Sequence, residues 1–181
     1  MRIILKNKET LLYDDFKFKC SIGKKGSSNN KKEGDNKTPK GVFRLGNIYY
    51  RADRVKKPKS NLDTIIIKRN MGWCDDPNSK FYNKLVKIKK NLNISYEKLF
   101  RIDNKYDLLI LIKYNYKKII KNKGSAIFLH LTKNYSPTQG CIAVKKKYLL
   151  KIWKKISIKK YNNIWLDFRL ISQAIIDFNK V

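Results

Sequence analysis

The sequence contains little histidine, cysteine, proline or glycine, and this restricts the classes of protein to which it can belong. One His and three Cys stand among 181 residues, too few for a typical zinc site or a disulfide framework. Eight Gly and four Pro argue against collagen-like and low-complexity chains. No apolar run approaches the roughly 18 residues of a membrane-spanning helix. We therefore expect no transmembrane segment, no metal and no cofactor.

Acidic residues are also scarce relative to basic ones. Against 43 Lys and Arg there are 14 Asp and Glu, which gives a formal net charge of +29. The excess favours either a polyanion partner such as nucleic acid or a compositional bias, because Lys, Asn and Ile share A- and T-rich codons. No RNA- or DNA-binding signature accompanies the charge. We therefore prefer the bias and expect no specific nucleic-acid partner.

Length and hydrophobic content predict one globular domain. A chain of 181 residues, 42% of them hydrophobic, buries about 70% of its unfolded surface and needs no disulfides to hold a core. We expect a single monomeric domain over residues 1–170 and a tail at 171–181, as a short helix or a frayed end. The apolar stretch at residues 3–5 is too short for the core of a secretory signal, so the sequence reveals no export route.

Short alternating or β-branched stretches favour a mainly β fold, sandwich-like or barrel-like, with long loops and one or two short helices. Strand patterns lie at residues 16–22, 42–45, 48–50, 62–68, 106–114, 126–131, 141–144 and 165–170.

Loops and one clear helix separate these strands. Polar stretches with Gly or Pro predict loops at residues 21–41, 51–61, 71–82 and 132–140. Residues 95–99 predict one helical turn. Residues 145–156 place Leu149, Ile152 and Trp153 on one helical face, which predicts an amphipathic helix.

The segment GSAIFLHLTKNYSPTQGCIAV, at residues 124–144, holds the residues best suited to chemistry. His130 ends a predicted strand, and Cys141 follows after a loop. A free thiol has a pKa of about 8.5, and an imidazole within about 3 Å would accept its proton. Gly140 permits a sharp turn and frees N–H groups for an oxyanion. The alternative is a small buried Cys141 and a structural His130.

The run Thr138-Gln139-Gly140-Cys141, preceded by His130, resembles the signature of the L,D-transpeptidase (YkuD-like) catalytic domain family. The match is closest to a branch with PTxGC in place of SHGC. Further blocks of that branch occur in the same order at residues 32–35, 38–43, 72–77, 106–108, 114–115 and 124–130. They cover roughly residues 16–156, and the resemblance implies the family's β-sandwich-like fold.

The resemblance also implies a reaction. Cys141 would attack the diaminopimelate carbonyl of a peptidoglycan stem peptide and expel D-Ala, leaving a thioester. The amine of a second diaminopimelate would resolve it in transpeptidation, whereas water would resolve it in carboxypeptidase or amidase hydrolysis. His130 would act first as base and then as acid, oriented by a backbone carbonyl. The amides of Gly140 and Cys141 would form the oxyanion hole. The substrate implies action in the periplasm or cell envelope.

Two positions depart from the family pattern. Gln139 stands where the family has a second His, and Ala143 stands where it commonly has an Arg. The resemblance therefore implies that one contact to a substrate carboxylate is missing, and Lys145 or Lys146 is a candidate replacement.

Further side chains are candidates for the substrate cleft: Trp73, Asp75, Asp76, Tyr114, Asn115, Thr138 and Gln139. The alternatives are a buried Trp, a buried Tyr and aspartates that only hold a turn. Glu33 and Asp35 either contact substrate or, as we prefer, fix the long loop.

The two other cysteines, Cys20 and Cys74, are expected to be packing residues. A disulfide between Cys74 and Cys141 is a further possibility and would inactivate the enzyme.

Overall fold

The computed structural model describes residues 2–57, 60–158 and 165–167. Most regular structure in it is β, which confirms the predicted fold class. The strands are β1 (Arg2–Asn7), β2 (Thr10–Tyr13), β3 (Phe16–Ser21), β4 (Ser27–Ser28), β5 (Thr38–Pro39), β6 (Val42–Tyr50), β7 (Thr64–Ile66), β8 (Met71–Cys74), β9 (Leu85–Lys87), β10 (Tyr96–Lys98), β11 (Leu108–Ile112), β12 (Phe128–Leu131), β13 (Ile142–Val144) and β14 (Trp165–Asp167). The helices are α1 (Lys146–Ile158) and a 3-10 turn at Asn104–Tyr106.

The main sheet closes on itself. Its nine strands run in the order β11-β12-β13-β3-β2-β1-β14-β6-β7, and β6 also pairs with β11. The long β6 makes this closure possible, because Val42–Arg44 pair with β14 whereas residues 45–50 pair with β11. The result is a barrel-like sheet, with β7 added in parallel to β6.

Alternation along the strands creates two hydrophobic cores. In β11, Leu108, Ile110 and Ile112 belong to one buried cluster, whereas Leu109 and Leu111 belong to another. Successive side chains on a strand point to opposite faces. The first cluster therefore fills the curled sheet, and the second lies on the opposite face of β11.

A second sheet covers that opposite face. Its strands run in the order β10-β8-β9, and Trp73 of β8 packs edge-on against Phe128 of β12 with ring centroids 5.3 Å apart. Gly72 permits close strand packing, because a Cβ there would lie 2.9 Å from the Tyr96 ring. The ends of β12 and β13 thus meet a layer made from distant parts of the chain.

Several local predictions differ from the structure. The break expected at residues 46–47 is a bulge within β6, where the register with β11 shifts between Ile110 and Ile112. The helical turn expected at 95–99 is wrong, since Tyr96–Lys98 pair with β8 as a strand. Residues 71–74, expected in a loop, form β8, and the β1–β2 hairpin was not predicted.

The predicted amphipathic helix is present as α1. Its residues Leu149, Ile152 and Trp153 are almost fully buried in the first core. Within the described ranges, no helix has the length and apolar content needed to cross a membrane. The expected tail at residues 171–181 lies outside the residues that the structure describes.

Candidate active site

Strand alternation places Cys141 and His130 on the same face of the sheet. Strands β12 and β13 are parallel neighbours, with Leu129 opposite Ile142 and His130 opposite Ala143. Leu129 and Ile142 point into the first core. His130 and Cys141, each one position away from a core residue, therefore share the other face.

Both side chains line one cavity of about 430 Å³. His130 is 5% exposed and Cys141 is 7% exposed, so the imidazole and the thiol lie deep in its wall. The cavity also has charged walls, to which Lys31, Glu97 and Arg101 contribute. Its size suits a small ligand, because ligand pockets commonly measure about 300–1,000 Å³.

Main-chain groups hold the Cys141 sulfur at rest. The thiol donates to the Ala126 carbonyl at 3.1 Å and accepts from the Phe128 N–H at 3.3 Å. Burial raises the pKa of the thiol to about 12, and the charge of Glu97 acts in the same direction. At neutral pH this raised pKa favours the neutral thiol of Cys141.

One hydrogen bond fixes the tautomer of His130. Its Nδ1 lies 2.8 Å from the carbonyl oxygen of Leu131, and a carbonyl only accepts, so Nδ1 carries the proton. Nε2 is then the basic nitrogen. Burial lowers the pKa of the imidazole to about 4, which keeps the ring neutral. The backbone carbonyl that orients the imidazole is thus that of the next residue, Leu131.

Tyr106 and Glu97 connect the surroundings of these two groups. The Tyr106 ring packs against His130 with centroids 5.2 Å apart, and its hydroxyl donates to Glu97 Oε1 at 2.6 Å. Tyr106 is 5% exposed, belongs to the same buried cluster as Cys141 and acts to lower the pKa of that thiol. This side chain holds the imidazole plane and fills the space beside the sulfur.

Thr138 and Thr38 shape the turn before Cys141. The Thr138 Oγ1 accepts from the Gly140 N–H at 3.1 Å and donates to the Cys141 carbonyl. The buried Thr38 Oγ1 donates to the Gly140 carbonyl at 2.9 Å. Gly140 has a φ of +141°, and a Cβ there would lie 2.9 Å from the Lys37 carbonyl oxygen. A residue without a side chain is required at this position.

The expected oxyanion hole is only partly available at rest. The Gly140 N–H is already donated to Thr138. Within the described part of the chain, no hydrogen bond of the Cys141 N–H is found. Among the described residues, that amide is therefore a main-chain donor beside the sulfur that is available to a ligand.

A buried ion pair lies in the same wall. The Lys31 ammonium contacts Asp35 Oδ1 at 2.7 Å, and Lys31 is 3% exposed. Asp35 also accepts from the N–H groups of Lys32 and Lys37. Burial alone would raise the pKa of Asp35, but these hydrogen bonds lower it below its usual value. Asp35 thus fixes the long loop, as the sequence predicted, and anchors a cation.

Asn83 is the central buried amide of the supporting layer. Its Oδ1 accepts from Trp73 Nε1 at 2.9 Å and from the Ala126 N–H at 3.1 Å. Its Nδ2 donates to the carbonyls of Tyr114 and Asn115. The carboxamide therefore uses its full hydrogen-bonding capacity. It secures Ala126, which has a φ of +52° and carries the carbonyl that holds the thiol.

The predicted cleft residues fall into two groups. Asp75, Thr138 and Gln139 line the cavity. Four others are not among its lining residues: Trp73, Asp76, Tyr114 and Asn115.

The residues outside the cavity wall have structural contacts instead. Trp73 is 2% exposed and bonded to Asn83. Asp76 accepts from the Asn78 N–H in a turn. Asn115 exchanges hydrogen bonds with Ile120, and the Tyr114 hydroxyl donates to the Lys123 carbonyl. These side chains build the layer behind the site.

The structure also gives the positions of Glu33, the cysteines and the two lysines that follow β13. Glu33 lines the cavity and accepts a hydrogen bond from the Tyr82 hydroxyl. All three cysteines are buried and free, so Cys74 and Cys141 form no disulfide. Lys145 and Lys146 are exposed and are not among the lining residues of the cavity.

Sequence reasoning missed four residues of the site. Lys31, Asn83, Glu97 and Tyr106 were not singled out, although Lys31 directly precedes one matched block and Tyr106 begins another. Asn83 bonds residues 10 to 43 positions away, so spacing gave no signal for it. Lys31 has its ion-pair partner four residues on, at Asp35, but that spacing does not reveal its burial beside Gly140. Glu97 had no signal at all, since its stretch resembled a helical turn.

Comparisons with known proteins agree with this geometry. The family model described as the L,D-transpeptidase catalytic domain (YkuD) matches residues 2–164. A search of curated proteins found no match. The matched region contains every residue of the cavity wall described above. The chain therefore belongs to the L,D-transpeptidase catalytic domain family, enzymes that act on peptidoglycan.

Proposed function

We propose that this protein is a cysteine acyltransferase that cleaves the bond between diaminopimelate and D-Ala in peptidoglycan stem peptides. The thioacyl-enzyme formed on Cys141 is then resolved by an amine of a second stem, which gives a cross-link. The proposal places the enzyme in the cell envelope, where its substrate lies. Family membership supports the substrate class.

The observation that carries the proposal is the shared position of Cys141 and His130 in one cavity wall. Among the described residues no hydrogen bond engages Nε2 of His130, since the ring's contact to Leu131 is made by Nδ1, and this supports its role as base. No hydrogen bond joins the two side chains within the described ranges, because the resting thiol donates to Ala126. Rotation about the Cys141 side chain therefore has to precede proton transfer.

The chemical steps follow from these groups. Cys141 transfers its proton to Nε2, and the sulfur attacks the diaminopimelate carbonyl carbon. The tetrahedral intermediate collapses, the C–N bond breaks, and His130 returns the proton to the leaving amine of D-Ala. Asp75, Thr138 and Gln139 are the lining side chains that we propose to contact the stem peptide.

Turnover of a stem tetrapeptide tests the proposal. Purified protein should release D-Ala from the tetrapeptide, and mass spectrometry should detect a thioacyl adduct on Cys141. The variant Cys141→Ala should lose both signals while keeping its fold. The variant Cys20→Ala, which alters another buried cysteine, is the matched control and should retain turnover. Retained turnover in Cys141→Ala contradicts the assignment.

The acceptor is decided by product analysis. With an added amine acceptor, a transpeptidase should form a cross-linked product. If the tripeptide is the only product even with excess acceptor, the enzyme is the carboxypeptidase or amidase of the alternative. Acylation by a carbapenem should occur in both cases, because the first half-reaction is the same.

A further inference from the structure

The Lys31 ammonium is a buried cation beside the nucleophile turn. Its side chain runs along two glycines of the site. A Cβ at Gly140 would lie 3.4 Å from Lys31 Nζ, and a Cβ at Gly124 would lie 2.7 Å from Lys31 Cε. Lys31 also lines the cavity together with Cys141. The glycines leave the space that this side chain occupies.

Among the described residues, the Lys31 ammonium has two hydrogen-bond acceptors and therefore one uncommitted donor. It contacts Asp35 Oδ1 at 2.7 Å and the Lys32 carbonyl at 3.4 Å. A lysine ammonium carries three N–H groups, so one remains for a group in the cavity. Asp35 holds the nitrogen in place, which reduces the reorganisation needed when negative charge develops nearby.

The main chain supplies too few donors for an oxyanion. The Gly140 N–H is donated to Thr138, which leaves the Cys141 N–H. Oxyanion sites in acyl transfer normally use two or more preorganised donors. A cation next to Gly140 meets this need and also opposes burial by lowering the pKa of the Cys141 thiol.

We propose that Lys31, held by Asp35 beside Gly140, is a catalytic residue that stabilises the oxyanion formed when Cys141 attacks a carbonyl. The inference rests on the proposed acyltransferase function. In the step concerned, the C–S bond forms while the C=O π electrons move to oxygen. The resulting negative charge receives hydrogen bonds from the Lys31 ammonium and the Cys141 N–H. When the leaving group departs, the electrons return to the carbonyl.

A comparison of two thiol reactions tests this role. Cys141 is acylated with p-nitrophenyl acetate, which passes through an oxyanion, and is alkylated with iodoacetamide, which does not. The test variant is Lys31→Met with Asp35→Asn, because this pair leaves no unpaired buried carboxylate. We expect the ratio of the acylation rate to the alkylation rate to fall by about 10²-fold.

Matched controls make the ratio interpretable. Lys32→Met removes the same charge from an exposed neighbour in the same loop and should leave the ratio unchanged. Lys31→Arg keeps the positive charge, so its ratio of acylation to alkylation rate should lie much closer to that of the wild type than the double variant's does. An unchanged ratio in the double variant overturns the proposal, even if both rates fall, because that is the result of a purely structural role.

The result of the Lys31 test can be distinguished from the result of the tetrapeptide test of the proposed function. Acylation by the simple ester requires no stem peptide. A wild-type protein that fails on the tetrapeptide, but shows the expected ratio change with the ester, contradicts the substrate assignment and supports the role of Lys31.

Discussion

The Cys141 thiol donates a hydrogen bond to the carbonyl oxygen of Ala126, 3.1 Å away, although a neutral imidazole lies on the same face of the sheet. Ala126 has a φ of +52°, a conformation that costs a non-glycine residue about 1–2 kcal/mol. Asn83 offsets this cost by binding the Ala126 N–H. The resting position of the Cys141 sulfur thus depends on a buried amide from a distant loop.

The first prediction concerns the reactivity of Cys141 in the absence of substrate. Burial raises the pKa of its thiol to about 12, so alkylation by iodoacetamide should be slow at pH 7 and should still increase above pH 9. Peptide mass spectrometry across that range measures it, with N-acetylcysteine as the reference thiol. A rate that is already maximal near pH 7 would indicate a preformed thiolate–imidazolium pair.

The second prediction concerns Asn83. Asn83→Ala removes a carboxamide that bonds Trp73, Ala126, Tyr114 and Asn115. Leaving buried polar groups unpaired costs about 1–3 kcal/mol each, so we expect a loss of about 3–5 kcal/mol. Urea unfolding measures it. Asn93→Ala, at an exposed position, should change stability by less than about 0.5 kcal/mol. Equal effects would refute the role of Asn83.

The third prediction compares two glycines with left-handed backbone. Gly34 has a φ of +70° and open space where a Cβ would lie, whereas Gly140 has a φ of +141° and backbone 2.9 Å away. Gly34→Ala should therefore cost only the conformational strain, about 1–2 kcal/mol. Gly140→Ala adds a clash with Lys37 and should cost clearly more. Thermal or urea unfolding decides the order, and a reversed order would contradict the packing described here.

The fourth prediction concerns stability against pH. Burial lowers the pKa of His130 from 6.5 to about 4, so the unfolded chain binds this proton first as the pH falls. The stabilising contribution is present above pH 6.5 and is lost as the pH falls toward 4. The full shift corresponds to about 3 kcal/mol. Urea unfolding at pH 7, 5.5 and 4 should show this loss relative to His130→Gln. If the free energies of unfolding of the wild type and His130→Gln change equally with pH, His130 is not buried as a neutral ring.

Local hydrophobic patterns correctly predicted the helices and strands that bury one face or a short apolar run. Helix α1 followed from apolar residues at helical spacing, and the strand containing His130 followed from a short apolar run. Both bury a face that local periodicity can reveal. The turn at Gly140 followed in the same way from a glycine placed directly before Cys141.

The remaining features depend on partners far along the chain. Tyr96–Lys98 forms a strand only because it pairs with Met71–Cys74, so its local preference for a helical turn was overridden. Asn83 and Ala126 are 43 residues apart, and no spacing rule connects them. The basic loop around Lys31 predicts a solvated lysine, whereas the fold buries this side chain beside Gly140.

The covered position of the Cys141 sulfur has a consequence for chemical damage. Peroxide oxidises thiolates much faster than neutral thiols, and the resting sulfur is both protonated and shielded by protein. The enzyme should therefore resist sulfenic acid formation between catalytic cycles. Under the proposed mechanism the sulfur leaves Ala126 during turnover, and its susceptibility to peroxide should then be greatest.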